Sequence, residues 1–599
     1  MSAHLAHLPP ELYTCILDYV TDQQTVLALT RCLPYAGISV DRLFHSIRIR
    51  QPETVPRLYR RIRAGLAQNA STSDASHLVY HLSVETWNVD ADVLTNLLRL
   101  LPSLRTLIVW IGPSNFSPEH LEEMFKPPMH NLKCLSLRFR PYVRKATYYQ
   151  FHKGSYFDST LLALSTWPQG LPTLSIVQDT FTPDPSDLSP RFAQPIVFFR
   201  LALHLSLLIH SPASHASLTS LRIRIPARPI IQPLTIAYLH PTVPPISTNT
   251  NTVPPPPSLD FLDVATCNVS ETDIEKLLMH FTRLKHLVLD ECTNLPRAWS
   301  VSSQALGSEL EWWSALGRRL VMAGVKRARE REKELRTWYE ENFYRRSLRR
   351  DEDESQVHVE DERETQIYEP KRPKRGRRGL ATATITLRGA TTSPPRAGPA
   401  KKPSPERSRR HGAVSSSSSV SSIPVQNNQD HKSTLPLPKV HVVPPLPSLK
   451  SISLFPTPGP NTVLMTPEVR VRIKAEFEKG WYDGLRVLWE VRGRMGTTFM
   501  RRLVENKGKQ VEGVLRPRFF VFRDQGGQDG EPKGEEREGH EGLDDVLPSE
   551  EDIFVRNEET SVDVGGPPVL CLAGSDVAAG GHEVGCGHFV GRDAGLESL

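Results

Sequence analysis

Read from its first residues, the chain opens with a four-residue apolar spacing. Leu8, Leu12, Ile16 and Val20 fall on one face of a helix, with Pro9-Pro10 and Glu11 at its start. A second apolar run, Val26, Leu27, Leu29, Cys32 and Leu33, stops at Pro34, and Leu43, Phe44, Ile47 and Ile49 follow. Roughly 45 residues with so few apolar positions make a marginal core on their own, so residues 1–66 are expected to need a covering partner.

From His77 onward the pattern changes to apolar-x-x-apolar-x-apolar, and it recurs. The copies are Val79, Leu82, Val84; Leu104, Leu107, Val109; Leu132, Leu135, Leu137; Leu171, Leu174, Ile176; Leu218, Leu221, Ile223; Leu259, Leu262, Val264; and Leu284, Leu287, Leu289. Helix-type runs precede some of them, as at Val93, Leu94, Leu97, Leu98, Leu101 and at Ile274, Leu277, Leu278, Phe281. A strand, loop and helix unit repeated at about 25 residues is the grammar of a leucine-rich-repeat solenoid, here spanning 76–300, with inserts such as Pro226 to Pro257 stretching the period. Cys267 and Cys292 recur at the same phase, three residues after the strand, where a small thiol fits the inward turn, so a structural role is expected for both.

Residues 301–350 read as one long helix with Leu306, Leu310, Trp313, Leu316, Leu320 and Val325 as its apolar side. Its second half, Arg329 to Glu334, alternates charge and is expected to be solvated. Residues 351–445 form acidic, basic, Ser-rich and Pro-rich blocks without apolar periodicity and are expected to be a disordered linker. The strand unit returns at Leu449, Ile452, Leu454, followed by helical spacing through Phe477, Trp481, Leu485, Leu488 and Trp489, which makes 446–522 a final repeat strand and terminal helix. The remaining 523–599 are rich in Gly and Glu and are expected to be a disordered tail.

Composition sharpens this picture in two places. The 51 prolines raise the expectation that part of the chain is unfolded, and the 7 scattered cysteines fit a reducing compartment rather than a disulfide framework. No leader-like N-terminus and no membrane-spanning stretch are read, so an intracellular protein, nuclear or cytoplasmic, is expected. The net charge of +6 is unevenly placed: 13 Lys and Arg stand against one acid between Lys371 and Arg410. Within that run Lys371, Arg372, Lys374, Arg375, Arg377 and Arg378 resemble a nuclear localisation signal. The run lacks interleaved aromatics, which argues against single-strand stacking, and leaves a salt-sensitive, unspecific phosphate contact with nucleic acid as the weaker third reading beside the localisation signal and a solvated linker.

Catalytic templates are absent: there is no phosphate loop, no Gly-x-Ser-x-Gly and no His-Glu-x-x-His, so no enzyme activity and no cofactor are expected. Cys571, His582, Cys586 and His588 offer four ligand-type side chains, but in a Gly-rich setting without Cys-x-x-Cys spacing, and no metal is expected there.

The opening motif Leu8-Pro9-Pro10-Glu11-Leu12-x-x-x-Ile16-Leu17-x-Tyr19-Val20, placed before the repeats, resembles the F-box family, and specifically F-box proteins with leucine-rich repeats in a divergent fungal form. Trp312-Trp313-x-x-Leu316-Gly317-Arg318-Arg319 is similar to a segment of the same group. Beyond Cys32 the chain departs from the Val-x-x-x-x-x-Trp ending of that box. The resemblance implies an α/β architecture of F-box-like helices followed by a repeat solenoid. It also implies a non-catalytic role: Leu8, Pro9, Leu12, Ile16, Leu17 and Val20 would dock a Skp-type adaptor, and through it a cullin-based ubiquitin ligase, while the repeats hold an unidentified protein substrate. Lys133, Arg138, Arg222, Arg224 and Asp263 are candidates for display on the strand face, where surface charge is their simplest role. The alternative is a leucine-rich scaffold in which the first helices cap the repeats.

Overall fold

The computed structural model describes residues 8–20, 23–33, 42–68, 75–112, 116–140, 156–179, 201–209, 211–235, 257–295, 305–357, 439–456, 466–506, 518–522, 543–546, 554, 566–574 and 581–596. Two compact units divide the chain: Met1–Trp338 with Pro438–Leu599, and Tyr339–Leu437. Of the second, only the end of one helix is described. The basic run Lys371 to Arg378 lies outside the described residues, as does most of the expected linker.

The first unit is a mixed α/β structure built on one ten-stranded parallel sheet. Its strands are β1 (Ser46–Ile49), β2 (His81–Val84), β3 (Thr106–Ile111), β4 (Cys134–Phe139), β5 (Thr173–Gln178), β6 (Ser220–Arg224), β7 (Phe261–Asp263), β8 (His286–Val288), β10 (Ser451–Ser453) and β13 (Val569–Cys571). They lie side by side in chain order. The smaller sheet, order β12-β11-β9, consists of β9 (Val440–Val442), β11 (Arg518–Phe522) and β12 (Leu543–Asp545).

The apolar repeat explains the register. Ile47, Leu82, Leu107, Leu135, Leu174, Leu221, Leu262, Leu287, Ile452 and Leu570 pair across successive strands as one column. Every apolar residue of the seven repeat copies, and of the copy at Leu449, is buried in one continuous core. Side chains alternate along a strand, so the column faces one side of the sheet, and there it meets helix residues such as Leu94, Leu97, Ile274 and Leu277. The helix Glu271–His280 begins with a reciprocal capping box between Ser270 and Asp273.

The turn after the strand is also shared between copies. Cys267 Sγ donates to the Ile223 carbonyl at 3.3 Å, and Cys292 Sγ to the Val264 carbonyl at 3.5 Å. The preceding residues, Thr266 (φ 64°) and Glu291 (φ 56°), adopt the left-handed conformation at the same phase. Burial pushes the Cys267 thiol up to about 12, and both cysteines act as small packing groups, as expected.

Several expectations are corrected. The first 66 residues are not wholly helical. After the helices Pro10–Tyr19, Gln23–Cys32 and Arg42–His45, β1 enters the large sheet, because Phe44, Ile47 and Ile49 repeat the strand spacing. The strand at Ser451–Ser453 is not the last: β13, in the expected tail, pairs with it through Leu570 and buries Leu570 and Leu572 in the core. The last part of the expected linker is also ordered, since Val440, Val442 and Val443 are buried in or beside the smaller sheet. The second half of the helix Ala305–Val357 is only partly solvated. Glu332 accepts from the Val442 amide at 2.9 Å, Leu335 is buried, and Arg327 lies 3.8 Å over the Phe522 ring, where burial pulls its guanidinium down to about 10. Charge alternation there marks partners rather than water.

Candidate functional site

Two surfaces of the first unit carry the candidate residues. The first is the helix Pro10–Tyr19. Its amphipathic spacing does not lead to burial of its main stripe: Leu12 is 47% exposed, Ile16 39% and Tyr19 89%, with Leu8 and Val20 half-buried and Pro9 exposed. The inward side is carried by Tyr13 and Leu17. Leu17, expected with the others to face an adaptor, lies one position past Ile16, about 100° further round the helix, and is turned into the protein. An exposed Leu, Ile and Tyr within two turns form an apolar face that water does not reward.

The second surface is the side of the sheet opposite the apolar column. Here Ser83, Ile108, Ser136, Ser175, Arg222, Asp263, Val288, Ser453 and Cys571 share one register position. Asp263, fully buried, bridges two neighbouring positions. It accepts from Arg222 Nε at 2.8 Å and Arg224 Nη2 at 2.7 Å, and from the Ala265 amide at 3.1 Å. Burial by itself would raise this carboxyl, but the Arg224 and Arg222 charges and these hydrogen bonds outweigh it and hold it at about 2. The expectation of exposed charge at Arg222 and Arg224 is thus corrected: a single alternating position on a strand does not tell solvent from a covered face, and here the face is covered.

The cover is the chain's own C-terminal segment. The helix Gly587–Asp593 packs on β7, β8 and β10, and Leu596 is buried among Phe261, Ala265 and Val288. Arg222 Nη1 donates to the Leu596 carbonyl, tying the cover to the Asp263 cluster. Gly587 permits this closeness, since a Cβ there would stand 2.9 Å from Val288 Cγ2 and 3.3 Å from Ser453 Oγ.

Towards the other end of the same face, Arg138 sits 4.9 Å over the Trp110 ring, itself 4.8 Å from Trp87, and pairs with Asp179 at 2.6 Å. Lys133 is exposed at the foot of β4. A half-buried Trp pair with an oriented guanidinium is the composition of a protein-binding hot spot.

Cys571, His582, Cys586 and His588, which stand far apart from any paired-cysteine spacing, are brought together at the β13 end of this face. The Gly-rich setting that argued against them is the turn that assembles them. Among the described residues no helix is long and apolar enough to cross a membrane. No family model matches the chain, and no curated protein matches it.

Proposed function

We propose that this protein is the substrate-recognition subunit of a Skp-cullin-F-box ubiquitin ligase, with the helix Pro10–Tyr19 docking the adaptor and the strand repeats, read as a leucine-rich solenoid, holding the target. The observation that carries the reading is the outward stripe of Leu12, Ile16 and Tyr19 on the helix that bears the F-box-like motif, ahead of a sheet whose strands follow one another in chain order. Burying three such side chains contributes roughly 1.5–3 kcal/mol each before the cost of association. With the C-terminal segment over β7, β8 and β10, the target surface is the part around Trp87, Trp110 and Arg138. The protein performs no chemistry itself; ubiquitin transfer belongs to other subunits.

The test is capture of a purified Skp-type adaptor by the full chain beside a Leu12→Asp, Ile16→Asp variant. Both side chains already face water, so the variant is expected to keep its circular dichroism and melting temperature while binding falls by about 100-fold or more, because each buried unpaired carboxylate costs several kcal/mol. Equal capture by the variant, or none by the wild type, would sink the proposal.

A further inference from the structure

The four side chains at the end of the second sheet face have no part in adaptor docking, and their geometry points to a ligand. Cys571 is the last residue of β13; with Leu570 and Leu572 turned into the apolar core, its thiol alternates to the opposite face. The chain returns through a turn closed by the Cys586 amide donating to the Glu583 carbonyl at 3.1 Å, with Gly585 at φ 79°. Cys586 then caps the helix Gly587–Asp593, whose second residue is His588. His582 stands before the turn and Cys586 and His588 after it, so one short segment delivers three side chains against the fourth.

The donor atoms converge. Cys571 Sγ lies 3.6 Å from His582 Nδ1 and 3.5 Å from His588 Nδ1, while Cys586 Sγ lies 3.8 Å from each of the same nitrogens. All four atoms fall within 4.8 Å of one another. A tetrahedral ion with zinc–sulfur and zinc–nitrogen bonds of about 2.3 and 2.05 Å requires sulfur-to-nitrogen edges of about 3.6 Å. All four such edges are therefore already near their coordinated length. Cys571, Cys586 and His588 are buried, which suits a closed site with no position for water or substrate. Both cysteines are free thiols rather than a disulfide.

The surroundings complete the arrangement. With Nδ1 turned inward, His588 presents Nε2 to Asp290 Oδ2 at 2.5 Å, and Asp290 is itself held by the Phe455 amide on Oδ1 at 2.9 Å. A carboxylate on the far nitrogen of a histidine fixes the tautomer and ring orientation that a metal ligand needs. Asp290 sits in the turn after β8, so this contact spans 298 residues of sequence. Glu583, inside the ligand turn, pairs with Lys474 of the helix Pro467–Asn506.

We infer that Cys571, His582, Cys586 and His588 bind one structural zinc ion, which clamps the C-terminal segment over strands β7, β8 and β10. Two thiolates and two imidazoles select zinc among the common divalent ions, and hard-oxygen cations are excluded by the sulfur donors. The ion links β13 to the turn and helix that follow it, and through His588 and Asp290 to β8. The site is independent of adaptor docking, which rests on residues at the other end of the chain.

The full chain, purified under reducing conditions without chelator, is expected to carry about one zinc per molecule by elemental analysis. Replacement by Co(II) is expected to yield the intense visible bands of tetrahedral cobalt with thiolate charge transfer. Cys571→Ser and Cys586→Ser are expected to lose both signals. Asp290→Asn, which keeps the shape and removes the charge, is expected to weaken zinc retention against a competing chelator by about 10-fold or more. Hydrogen exchange within residues 587–596 is expected to accelerate when the metal is stripped. Wild-type protein that holds no zinc and develops no cobalt spectrum would overturn the site, as would a Cys571–Cys586 disulfide surviving reductant. Unchanged exchange after stripping would overturn the clamp. All three measurements on the wild type stand whether or not the serine variants fold.

Discussion

Asp263→Ala is expected to lower the stability of the first unit by about 3–5 kcal/mol, the cost of leaving a buried charge without its partner. The carboxylate is fully buried between Arg222 and Arg224, and Arg222 is buried as well. Removing it strands two guanidiniums of like charge two residues apart on one face of β6, next to the Leu596 carbonyl that Arg222 also holds. Asp263→Asn retains volume and one acceptor oxygen, and its loss is expected to be smaller but in the same direction. Urea titration followed by circular dichroism measures both. A midpoint for Asp263→Ala within 0.3 M or so of wild type, at a typical slope of about 1–3 kcal/mol per molar, would show that the cluster is neutral in net stability.

The same cluster predicts a pH dependence with a definite sign. Its carboxyl lies at about 2 in the folded chain against an ordinary 3.8. A depressed acid binds fewer protons folded than unfolded, so its contribution is complete above about pH 4 and disappears as pH falls through about 2. At about 1.36 kcal/mol per unit, the difference is worth roughly 2 kcal/mol. Wild type is expected to lose that increment between pH 4 and 2, whereas Asp263→Ala, already without it, is expected to show a correspondingly flatter profile across the same window.

The parts of the fold that were legible in the sequence are those where one residue type repeats against one environment. The apolar triplets mark their strands because every copy meets the same core, so Leu82, Leu107 and Leu135 carry the same message three times. β1 and β13 were harder: Ile47 and Leu570 occupy the same column, but Phe44 and Pro567 begin their units in place of Leu or Val, and neither has a flanking copy at the usual period. The helix Pro10–Tyr19 was read as an element, and its stripe was found, but which side faces inward depended on Tyr13 and Leu17 meeting neighbours that periodicity does not name. The quartet shows in the sequence only as four ligand-type residues, because the paired-cysteine spacing that marks a metal site belongs to sites built on a single local knuckle. Here β13 supplies one ligand and Asp290, nearly three hundred residues earlier, orients another, and such a contact leaves no local pattern.

Gly480→Ala is expected to destabilise the packing of the helices Ala305–Val357 and Pro467–Asn506, against the usual sign of that substitution. In an open helix interior, replacing Gly by Ala gains about 1 kcal/mol from backbone entropy. At Gly480 the added methyl would stand 2.6 Å from the Ser314 carbonyl carbon and 2.7 Å from its Cα, and what it meets is backbone, which cannot rotate aside. The contact is reciprocal, since a Cβ on Gly317 would approach the Trp481 amide nitrogen to 2.9 Å. The two helices cross on bare backbone so that Trp313, Phe477 and Trp481 can fill the core on either side. Forcing them apart costs about 1–3 kcal/mol or more in strain and loosens all three aromatics, so strain exceeds the entropy gain. Gly493, on the same helix with open space around its Cα, provides the internal control: Gly493→Ala is expected to raise the melting temperature while Gly480→Ala lowers it and shifts the tryptophan emission to the red. A Gly480→Ala variant that raised stability as Gly493→Ala does would show that the helices are not in backbone contact at Gly480. In the sheet β10 lies beside β8 and β13 beside β10, and the segment after β13 carries His588 to Asp290.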